Sequence, residues 1–407
     1  MSADEALARL LGAVAPLGRT ETLPTPEAWG RILARDLVSP VDVPPADNSA
    51  MDGYAVRLAD LESGRPLPVS QRIPAGVVGS ALEAGTAARI FTGAQVPPGA
   101  DAVVMQEHCE AQPGTEGRPL GTVLVKERPG PGAAIRRRGE DVRAGSVVLA
   151  AGRRLDAAAI GLAATAGAAR LEVAARPRVA LFSTGDELVM PGEPLPPGAI
   201  YNSNRFMLGA LLRGAGCEVT DLGNVPDRLD ATRAALRQAA SEHDLILSSG
   251  GVSVGEEDHL KPALAAEGRL DLWSIAIKPG KPLAFGAVRR AAGGETWFVG
   301  LPGNPVSSFV TFALFVRPVL VRLQGGTALA PAAIPMRADF TWPRPDKRRE
   351  FLRVRRNERG GLDLFQNQGS GVLTSLAWGD GLADIAPGQA VQPGDFVRYL
   401  SLGEWAP

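Results

Sequence analysis

Apolar and polar residues along residues 178–323 follow a pattern that predicts strands and helices in turn. Strand-like runs such as RVALFS and DLILSS are separated by stretches with helical spacing, which predict helices at residues 203–213, 231–242 and 259–267. This alternation is typical of a parallel sheet with helices on both faces. We therefore predict a doubly wound α/β domain over residues 176–325.

The chain before residue 176 consists of a β-rich segment between two segments rich in helix formers. Residues 46–138 carry short β-type runs between turn sequences such as PPG and PGPG, which predict an inserted β-domain. On either side, residues 1–45 and 139–175 are rich in helix formers, with helices expected at residues 4–14 and 26–37. We expect these flanking segments to pack together as one discontinuous N-terminal helical domain.

The end of the chain, residues 330–407, consists of short strand-like runs separated by Pro and Gly, and it predicts a small C-terminal β-barrel or sandwich. A chain of 407 residues exceeds what one hydrophobic core usually supports. The expected architecture is therefore multidomain α/β plus β, with four domains.

Composition narrows the classes of function. Lys and Arg total 43 and Asp and Glu total 44, so the formal charge of −1 indicates neither a nucleic-acid partner nor an anionic membrane surface. The N-terminus MSADEALARL lacks the regions of a secretory signal, and Cys109 and Cys217 cannot form a disulfide framework, so we expect a cytoplasmic location. The three histidines have no ligand spacing, and a bound metal should therefore be a hard cation held by oxygen atoms.

Polar, Gly-rich loops follow the predicted strands. In SGGVSVGEED, residues 249–258, the glycines allow backbone amides to point at an anion, and the acidic residues could hold Mg²⁺ beside it. The same segment is also compatible with a tight turn that leads into a helix with an acidic N-cap. In TGDEL, residues 184–188, Asp186 and Glu187 suit Mg²⁺ binding or acid-base chemistry. Asp186 could equally cap a helix, as could Asp227 in NVPDRLD.

Two further stretches favour an anion. IKPGKPLAF holds Lys278 and Lys281 on a proline-stiffened turn, and like charges held together need an anion to stabilise them. Two lysines on a solvated turn are the simpler interpretation. In GLPGNPVSS, Pro305 suits the first turn of a helix whose amides, together with Ser307, favour an anion.

The inserted domain adds motifs that favour a structural interpretation when each is taken alone. Asp52 in NSAMDGYAV fits a hairpin turn, and FTGAQVPPGAD is a turn-rich loop in which Thr92 is the chemically useful side chain. RRRGED, which ends at Asp141, fits either an anion site or a charged linker.

Seven strings, in this order and at these spacings, resemble the molybdopterin molybdenumtransferase family of molybdenum-cofactor biosynthesis, which includes MoeA and the gephyrin E-domain. They are NSAMDGYAV, FTGAQVPPGADAVVMQE, RRRGED, STGDEL, SSGGVSVGEED, KPGKPLAFG and GLPGNPVS. The resemblance implies an elongated four-domain homodimer, whose active cleft lies between the α/β domain of one subunit and the inserted β-domain of the other. It also implies adenylylated molybdopterin and molybdate as substrates, Mg²⁺ as cofactor and AMP as the leaving product.

The resemblance assigns roles to individual residues. In the C-terminal domain, Arg348 and Arg349 compete with Arg353 for contact with the oxyanion. The expected catalytic residues are Asp52, Thr92, Asp141, Glu187, Asp227 and Asp258, of which the last three are also the expected metal ligands. Residues expected to bind molybdate or adenylylated molybdopterin are Ser249, Gly250, Gly251, Ser253, Lys278, Lys281, Pro302, Pro305, Ser307, Arg353 and Ser370.

Three alternatives stay open at this point. A molybdopterin adenylyltransferase would share the α/β domain and its loops, although such enzymes are usually that domain alone. A gephyrin-like dimeric scaffold would use the same dimer, and an enzyme of the competence-damage type would share TGDEL but not KPGKP. For the molybdenumtransferase, transient contacts with the adenylyltransferase and with apo-molybdoenzymes are the expected protein interactions.

Overall fold

The computed structural model describes residues 1–252, 259–330 and 332–404. Its first segment is one helix followed by short extended pieces. The hydroxyl of Ser2 caps the helix by accepting a hydrogen bond from the Glu5 N–H at 3.2 Å, while the Glu5 carboxylate accepts one from the Ser2 backbone at 2.9 Å. The elements are α1 (Ala3–Ala13), β1 (Thr20–Pro24), a 3₁₀ turn (Thr25–Ala28) and β2 (Leu37–Val38).

The helix expected at residues 26–37 is wrong. After the 3₁₀ turn, Gly30 adopts a φ of 74°, which lies in the left-handed region and stops a right-handed helix. The chain then runs extended, with an isolated bridge between Leu33 and Val173. Apolar residues of this segment, such as Leu33, are therefore buried as extended chain.

The inserted domain is a small β-structure built on a six-stranded sheet. Its strands are β3 (Asn48–Ser49), β4 (Gly53–Val56), β5 (Leu67–Ile73), β6 (Ala87–Ile90), β7 (Ala102–Met105), β8 (Cys109–Gln112), β9 (Thr122–Val125) and β10 (Ile135–Arg136). β3 pairs with β10, so the chain enters and leaves the domain at one place. The other strands form the sheet in the order β7-β4-β6-β5-β9-β8.

After the inserted domain the chain returns to its N-terminal segment. The returning part forms β11 (Val147–Leu149), α2 (Ala157–Thr165) and β12 (Arg170–Ala174). β12 pairs with β1 and β11 pairs with β2, and Leu33, Leu155 and Leu171 share one apolar cluster. The two segments make one packed unit, in which short strands and a helix of 9 residues replace the mainly helical structure that the sequence predicts.

The α/β domain has a six-stranded sheet in the order β16-β13-β17-β21-β20-β18. The strands β16, β13, β17 and β21 are parallel, as predicted, whereas β20 runs antiparallel to both neighbours. The elements in chain order are β13 (Arg178–Thr184), β14 (Leu188–Val189), β15 (Ile200–Tyr201), α3 (Ser203–Gly214), β16 (Glu218–Val225), α4 (Leu229–Glu242), β17 (Leu245–Ser249), α5 (Leu260–Glu267), β18 (Gly268–Ser274), β19 (Ile277–Lys278), β20 (Pro282–Arg289), β21 (Glu295–Leu301), α6 (Pro305–Thr311), a π-helical turn (Phe312–Val316) and α7 (Arg317–Leu323).

Helices cover both faces of this sheet. Leu181 points to the face that carries α3 and α6, and the next residue, Phe182, points to the face that carries α4 and α5. Among the described residues, the run Pro305–Leu323 is long and apolar enough to cross a membrane, with a mean hydropathy of 1.6, but 72% of its apolar stretch is buried, as in a core helix. Helix α1 packs on this run through Leu10, and so it lies with the α/β domain rather than with the N-terminal unit.

The C-terminal domain is a closed barrel of five strands, which agrees with the predicted small barrel. Its elements are β22 (Ala333–Ala338), β23 (Arg349–Arg356), β24 (Gly361–Leu364), α8 (Thr374–Trp378), β25 (Gly381–Ile385) and β26 (Phe396–Ser401). β23 pairs with both β24 and β25, which closes the barrel. β19 of the α/β domain also pairs with β23, so that Lys278 lies opposite Glu350. Backbone hydrogen bonds therefore tie the barrel to the α/β domain.

Candidate active site

A cavity of about 670 Å³ lies where the loops that follow β13, β17 and β21 meet the C-terminal barrel. The carboxyl ends of parallel strands share one edge of a sheet, which is where ligands bind in folds of this class. The wall contains ten of the residues expected to act in the site: Glu187, Asp227, Ser249, Gly250, Gly251, Lys278, Lys281, Pro302, Ser307 and Ser370. The fold thus brings together motifs that are far apart in the sequence.

Two glycines let the loops after β13 and β17 approach each other. Gly250 and Gly251 have φ values of 89° and 67°, and a Cβ at Gly250 would lie 2.5 Å from the Thr184 carbonyl oxygen. Glycine tolerates both this backbone conformation and this contact, and larger residues do not. The loop therefore meets the cavity as bare backbone, which an anion can approach closely.

Asn204, which sequence reasoning missed, joins two of the loops. Its side-chain amide donates hydrogen bonds to Ser249 Oγ at 2.8 Å and to the Gly303 carbonyl at 2.7 Å. Helix α3 thereby fixes the spacing between the loops after β17 and β21, and Asn204 itself lines the cavity. The signal that could have found it is its position in the first turn of α3, two residues after the N-cap residue Asn202.

Two carboxylates, Glu187 and Asp227, lie in the cavity wall. The neighbouring Asp186 accepts a hydrogen bond from the Asp227 backbone at 3.3 Å, so it connects the loops after β13 and β16. Neither aspartate caps a helix, because a short strand, β14, follows Asp186 and the N-cap of α4 is Arg228. The helix-capping interpretation of both residues is therefore wrong.

The donor set of the cavity fits a magnesium ion. Glu187 and Asp227 offer carboxylate oxygens, and Mg²⁺ is usually held by one or two carboxylates together with substrate phosphates. Over the described parts of the chain, no group of three His, Cys, Asp or Glu side chains is arranged to hold a metal ion alone. The third expected ligand, Asp258, and the expected substrate-binding residue Ser253 lie outside the described residues.

The two lysines of the cavity differ in their surroundings. Lys278 Nζ lies 2.9 Å from the buried carboxylate of Glu350 and 3.6 Å from Asp346. Glu350 also accepts a hydrogen bond from Trp342 Nε1 at 2.9 Å. The expectation that both lysines need an external anion is therefore wrong for Lys278, because the barrel supplies its counter-charge. Lys281 is exposed and forms no ion pair with a described carboxylate.

Arg348 is the arginine of the barrel that reaches the cavity wall. Asp346 holds its guanidinium through two hydrogen bonds of 3.0 and 2.8 Å, and these bonds keep the pKa of Asp346 well below its ordinary value. Arg349 instead binds Asp384 through two hydrogen bonds of 2.6 Å and reaches Asp4 of α1. Of these two competitors, Arg348 is the one that lines the cavity.

Arg353 is fully buried and lies outside the cavity wall. It donates hydrogen bonds to Ser375 Oγ at 3.0 Å and to the Gly369 carbonyl at 3.2 Å. Burial also lowers the pKa of Arg353 to about 10. In this structure Arg353 therefore supports the loop that carries Ser370 through Gly369, and direct contact between Arg353 and the substrate stays a prediction.

Four other expected residues also lie outside the wall. Pro305 is the first residue of α6, and Asp141 is exposed at the exit from the inserted domain. In the inserted domain, Asp52 Oδ1 accepts hydrogen bonds from the backbone N–H and the hydroxyl of Thr92, both at 2.8 Å. These bonds lower the pKa of the exposed Asp52 carboxyl. A single subunit therefore keeps Asp52 and Thr92 together but apart from the cavity.

Comparisons with known proteins follow the same domain organisation. Three family profiles match the chain: "MoeA N-terminal region (domain I and II)" over residues 1–167, "Probable molybdopterin binding domain" over residues 180–322, and "MoeA C-terminal region (domain IV)" over residues 335–402. A molybdopterin molybdenumtransferase of Haemophilus influenzae is 44% identical over 80% of this chain and 78% of its own length.

Two further relatives span almost the whole chain. Molybdopterin molybdenumtransferase 2 of Mycobacterium tuberculosis is 39% identical over 93% of both chains. The crystal structure of the molybdopterin biosynthesis protein MoeA from Pyrococcus horikoshii superposes with a TM-score of 0.84 at 29% identity, covering 98% of this chain and 99% of the other. The chain belongs to the MoeA family of molybdopterin molybdenumtransferases.

Proposed function

We propose that this protein inserts molybdenum from molybdate into adenylylated molybdopterin in an Mg²⁺-dependent reaction that releases AMP. The observation that carries the proposal is the composition of the cavity, in which Lys281 and Arg348 face the same space as Glu187 and Asp227. Cations and carboxylates in one wall suit two anionic substrates and a divalent cation.

The residues of the wall divide between the two substrates. Lys281, Arg348 and Ser370 would hold molybdate, which needs positive charge and hydrogen-bond donors. The loop at Gly250 and Gly251 would carry the phosphate link of molybdopterin-AMP, since bare backbone approaches phosphate closely. Mg²⁺ on Glu187 and Asp227 would neutralise charge on that link. The protein would position and neutralise its anions while the two dithiolene sulfurs replace two oxygens of molybdate, which leave as water, and one water cleaves the phosphate link to release AMP.

We also propose that the working form is a homodimer with a shared site. Asp52 and Thr92 lie outside the cavity of their own subunit, and a two-fold dimer would let the inserted domain of each subunit cover the cavity of the other. Both active sites would then contain residues from two chains. With Cys109 and Cys217 unpaired, a reducing cytoplasm is the proposed location.

The main alternative is the adenylyltransferase that supplies molybdopterin-AMP. Such an enzyme needs the α/β domain, whereas this chain matches its relatives across four domains. A scaffold of the gephyrin type would not require a cavity that combines lysine, arginine and two carboxylates. The molybdenumtransferase is therefore the function that the site supports best.

The test is direct. Purified protein is incubated with molybdopterin-AMP, molybdate and Mg²⁺, while AMP release and reconstitution of an apo-molybdoenzyme are followed. We expect AMP release that depends on both molybdate and Mg²⁺, together with an active molybdoenzyme. ATP consumption with free molybdopterin would instead identify an adenylyltransferase, and the absence of both activities would reject an enzymatic role.

A further inference from the structure

Two arginines of the inserted domain lie side by side with the same charge. Arg72 on β5 and Arg89 on β6 are register partners in neighbouring parallel strands, so their side chains leave the same face of the sheet. Like charges directly opposite one another on a sheet are destabilising. The pairing of β5 with β6 therefore places two positive charges next to each other, which is unfavourable unless another group compensates them.

Neither arginine forms an ion pair with a carboxylate within the described parts of the chain. Arg89 donates hydrogen bonds to the Gly53 carbonyl at 3.0 Å and to Gln106 Oε1 at 2.7 Å, and both of these acceptors are neutral. Several other cations of the domain have acidic partners, as in the pairs Arg57–Asp60, Lys126–Glu110, Arg128–Glu62 and Arg137–Asp47. Neither Arg72 nor Arg89 therefore has a described carboxylate within ion-pair distance.

An aromatic ring holds the two side chains in place. The guanidinium carbons of Arg72 and Arg89 both lie 4.6 Å from the centroid of the Phe91 ring. Contact with the ring face stabilises each cation and reduces its freedom to move. A guanidinium held in this way presents N–H groups in a planar fork, which matches the oxygens of a phosphoryl group.

The pair lies beside the residues through which the inserted domain is expected to meet the substrate. Phe91 directly precedes Thr92, which binds Asp52. The Thr92 N–H is the main cause of the lowered pKa of Asp52, and the positive charge of Arg89 adds to it, so the field of the arginine reaches this carboxylate. The two arginines thus share a surface with Asp52 and Thr92.

We propose that Arg72 and Arg89, held on the ring of Phe91, bind the phosphoryl group of the adenylylated substrate in the cleft between two subunits. This inference rests on the proposed function and adds a phosphate-binding site on the inserted domain. A tetrahedral oxyanion is the ligand class, because two forked cations that form no ion pair with a described carboxylate match its geometry and charge. Molybdate has the same shape, so the test must separate these two sources.

The experiment compares Arg72→Gln, Arg89→Gln and the double variant with wild type in the AMP-release assay. Each single change should raise the KM for molybdopterin-AMP on the order of tenfold, since one charge-assisted contact is lost. The KM for molybdate should stay within about twofold of wild type, because molybdate is held in the other wall of the cleft. A rise in the molybdate KM alone would overturn the assignment to phosphate.

Arg65→Gln is the matched control. Arg65 is an exposed arginine of the same domain, located just before β5, whereas Arg72 lies near the end of that strand, about 20 Å further along. If the control raises the KM for molybdopterin-AMP as much as Arg72→Gln does, the effect is one of net charge and the proposed site is rejected.

Thermal unfolding gives a second readout that a structural role would not produce. Removing one of two facing cations relieves repulsion, so the Tm of Arg72→Gln should equal or exceed that of wild type. Inorganic phosphate should raise the Tm of wild type more than that of the double variant, because only wild type has the proposed site. The general salt effect of phosphate acts on both proteins and cancels in this comparison. A lower Tm with unchanged kinetics would mean that the arginines only pack on Phe91.

The two proposals can fail separately. If wild type releases no AMP under any condition, the proposed function itself is rejected. If wild type is active and the double variant has the same KM for molybdopterin-AMP as Arg65→Gln, the function stands and the phosphate site is rejected.

Discussion

Lys278 and Glu350 are register partners on strands of two different domains, and their side chains form an ion pair of 2.9 Å beside the active-site cavity. Because Glu350 is 1% exposed, Glu350→Gln should lower the free energy of unfolding by about 1–3 kcal/mol, as the ion pair with Lys278 is lost. The same change removes negative charge from beside Lys278, so that the lysine attracts the molybdate anion more strongly. The molybdate concentration for half-maximal AMP release should therefore fall. Urea unfolding and a molybdate titration test both effects. An unchanged molybdate dependence would show that the charge of Lys278 does not reach the substrate.

Lys281→Ala should raise the KM for molybdate by about tenfold and leave the Tm unchanged, because a charge facing the anion is removed without breaking an ion pair. Lys278→Ala is the matched comparison. It should lower the Tm, since Glu350 then remains buried without its cation. If Lys281→Ala changes only the KM for molybdopterin-AMP, the lysine belongs to the phosphate site instead.

Thr92→Val should move the acid side of the pH profile to higher pH. In wild type the pKa of Asp52 is lowered by the backbone N–H and the hydroxyl of Thr92, so Asp52 stays ionised to lower pH than a free carboxylate. Valine removes the hydroxyl, and the pKa of Asp52 should then rise towards its ordinary value. Thr92→Ser keeps the hydroxyl and should leave the profile of kcat/KM in place. Coincident profiles for all three proteins would mean that the charge of Asp52 does not limit the reaction.

Asp52→Ala and Asp227→Ala should each be inactive alone but complement each other when mixed. In a shared-site dimer, a mixed dimer has one site with both changes and one site with neither. Random association makes about half of the dimers mixed, so AMP release should reach about a quarter of the wild-type level. Mass spectrometry verifies the heterodimer. A site confined to one chain predicts no activity above that of the separate variants.

The convergence of the active-site loops could be predicted from the sequence, since the carboxyl ends of parallel strands must share an edge of the sheet. TGDEL, SGG and LPGNP indeed line one cavity. The counter-ion of Lys278 could not be predicted, because it depends on how a separate domain docks. Likewise, the helix at residues 4–14 could be predicted from its helix formers, but the packing of Leu10 on the α/β domain could not.

The three arginines Arg348, Arg349 and Arg353 illustrate the same limit. They lie within six positions of one another on or next to one strand. Nevertheless, Arg348 faces the cavity, Arg349 pairs with Asp384 and Arg353 is buried. Closure of the barrel decides which side chain points inward, and barrel closure depends on pairings across the whole domain. The helix wrongly expected at residues 26–37 failed for a related reason, because β-bridges with distant residues outweighed local helix propensity.

The pairing of β19 with β23 makes substrate affinity and domain docking two aspects of one equilibrium. The cavity has walls from both domains, so any ligand that touches both strengthens the junction by the same free energy that the junction contributes to binding. Occupied protein should therefore resist separation of the barrel more than empty protein does. Conversely, a protein that pulled the barrel away from the α/β domain would weaken retention of the finished cofactor without touching the cofactor itself.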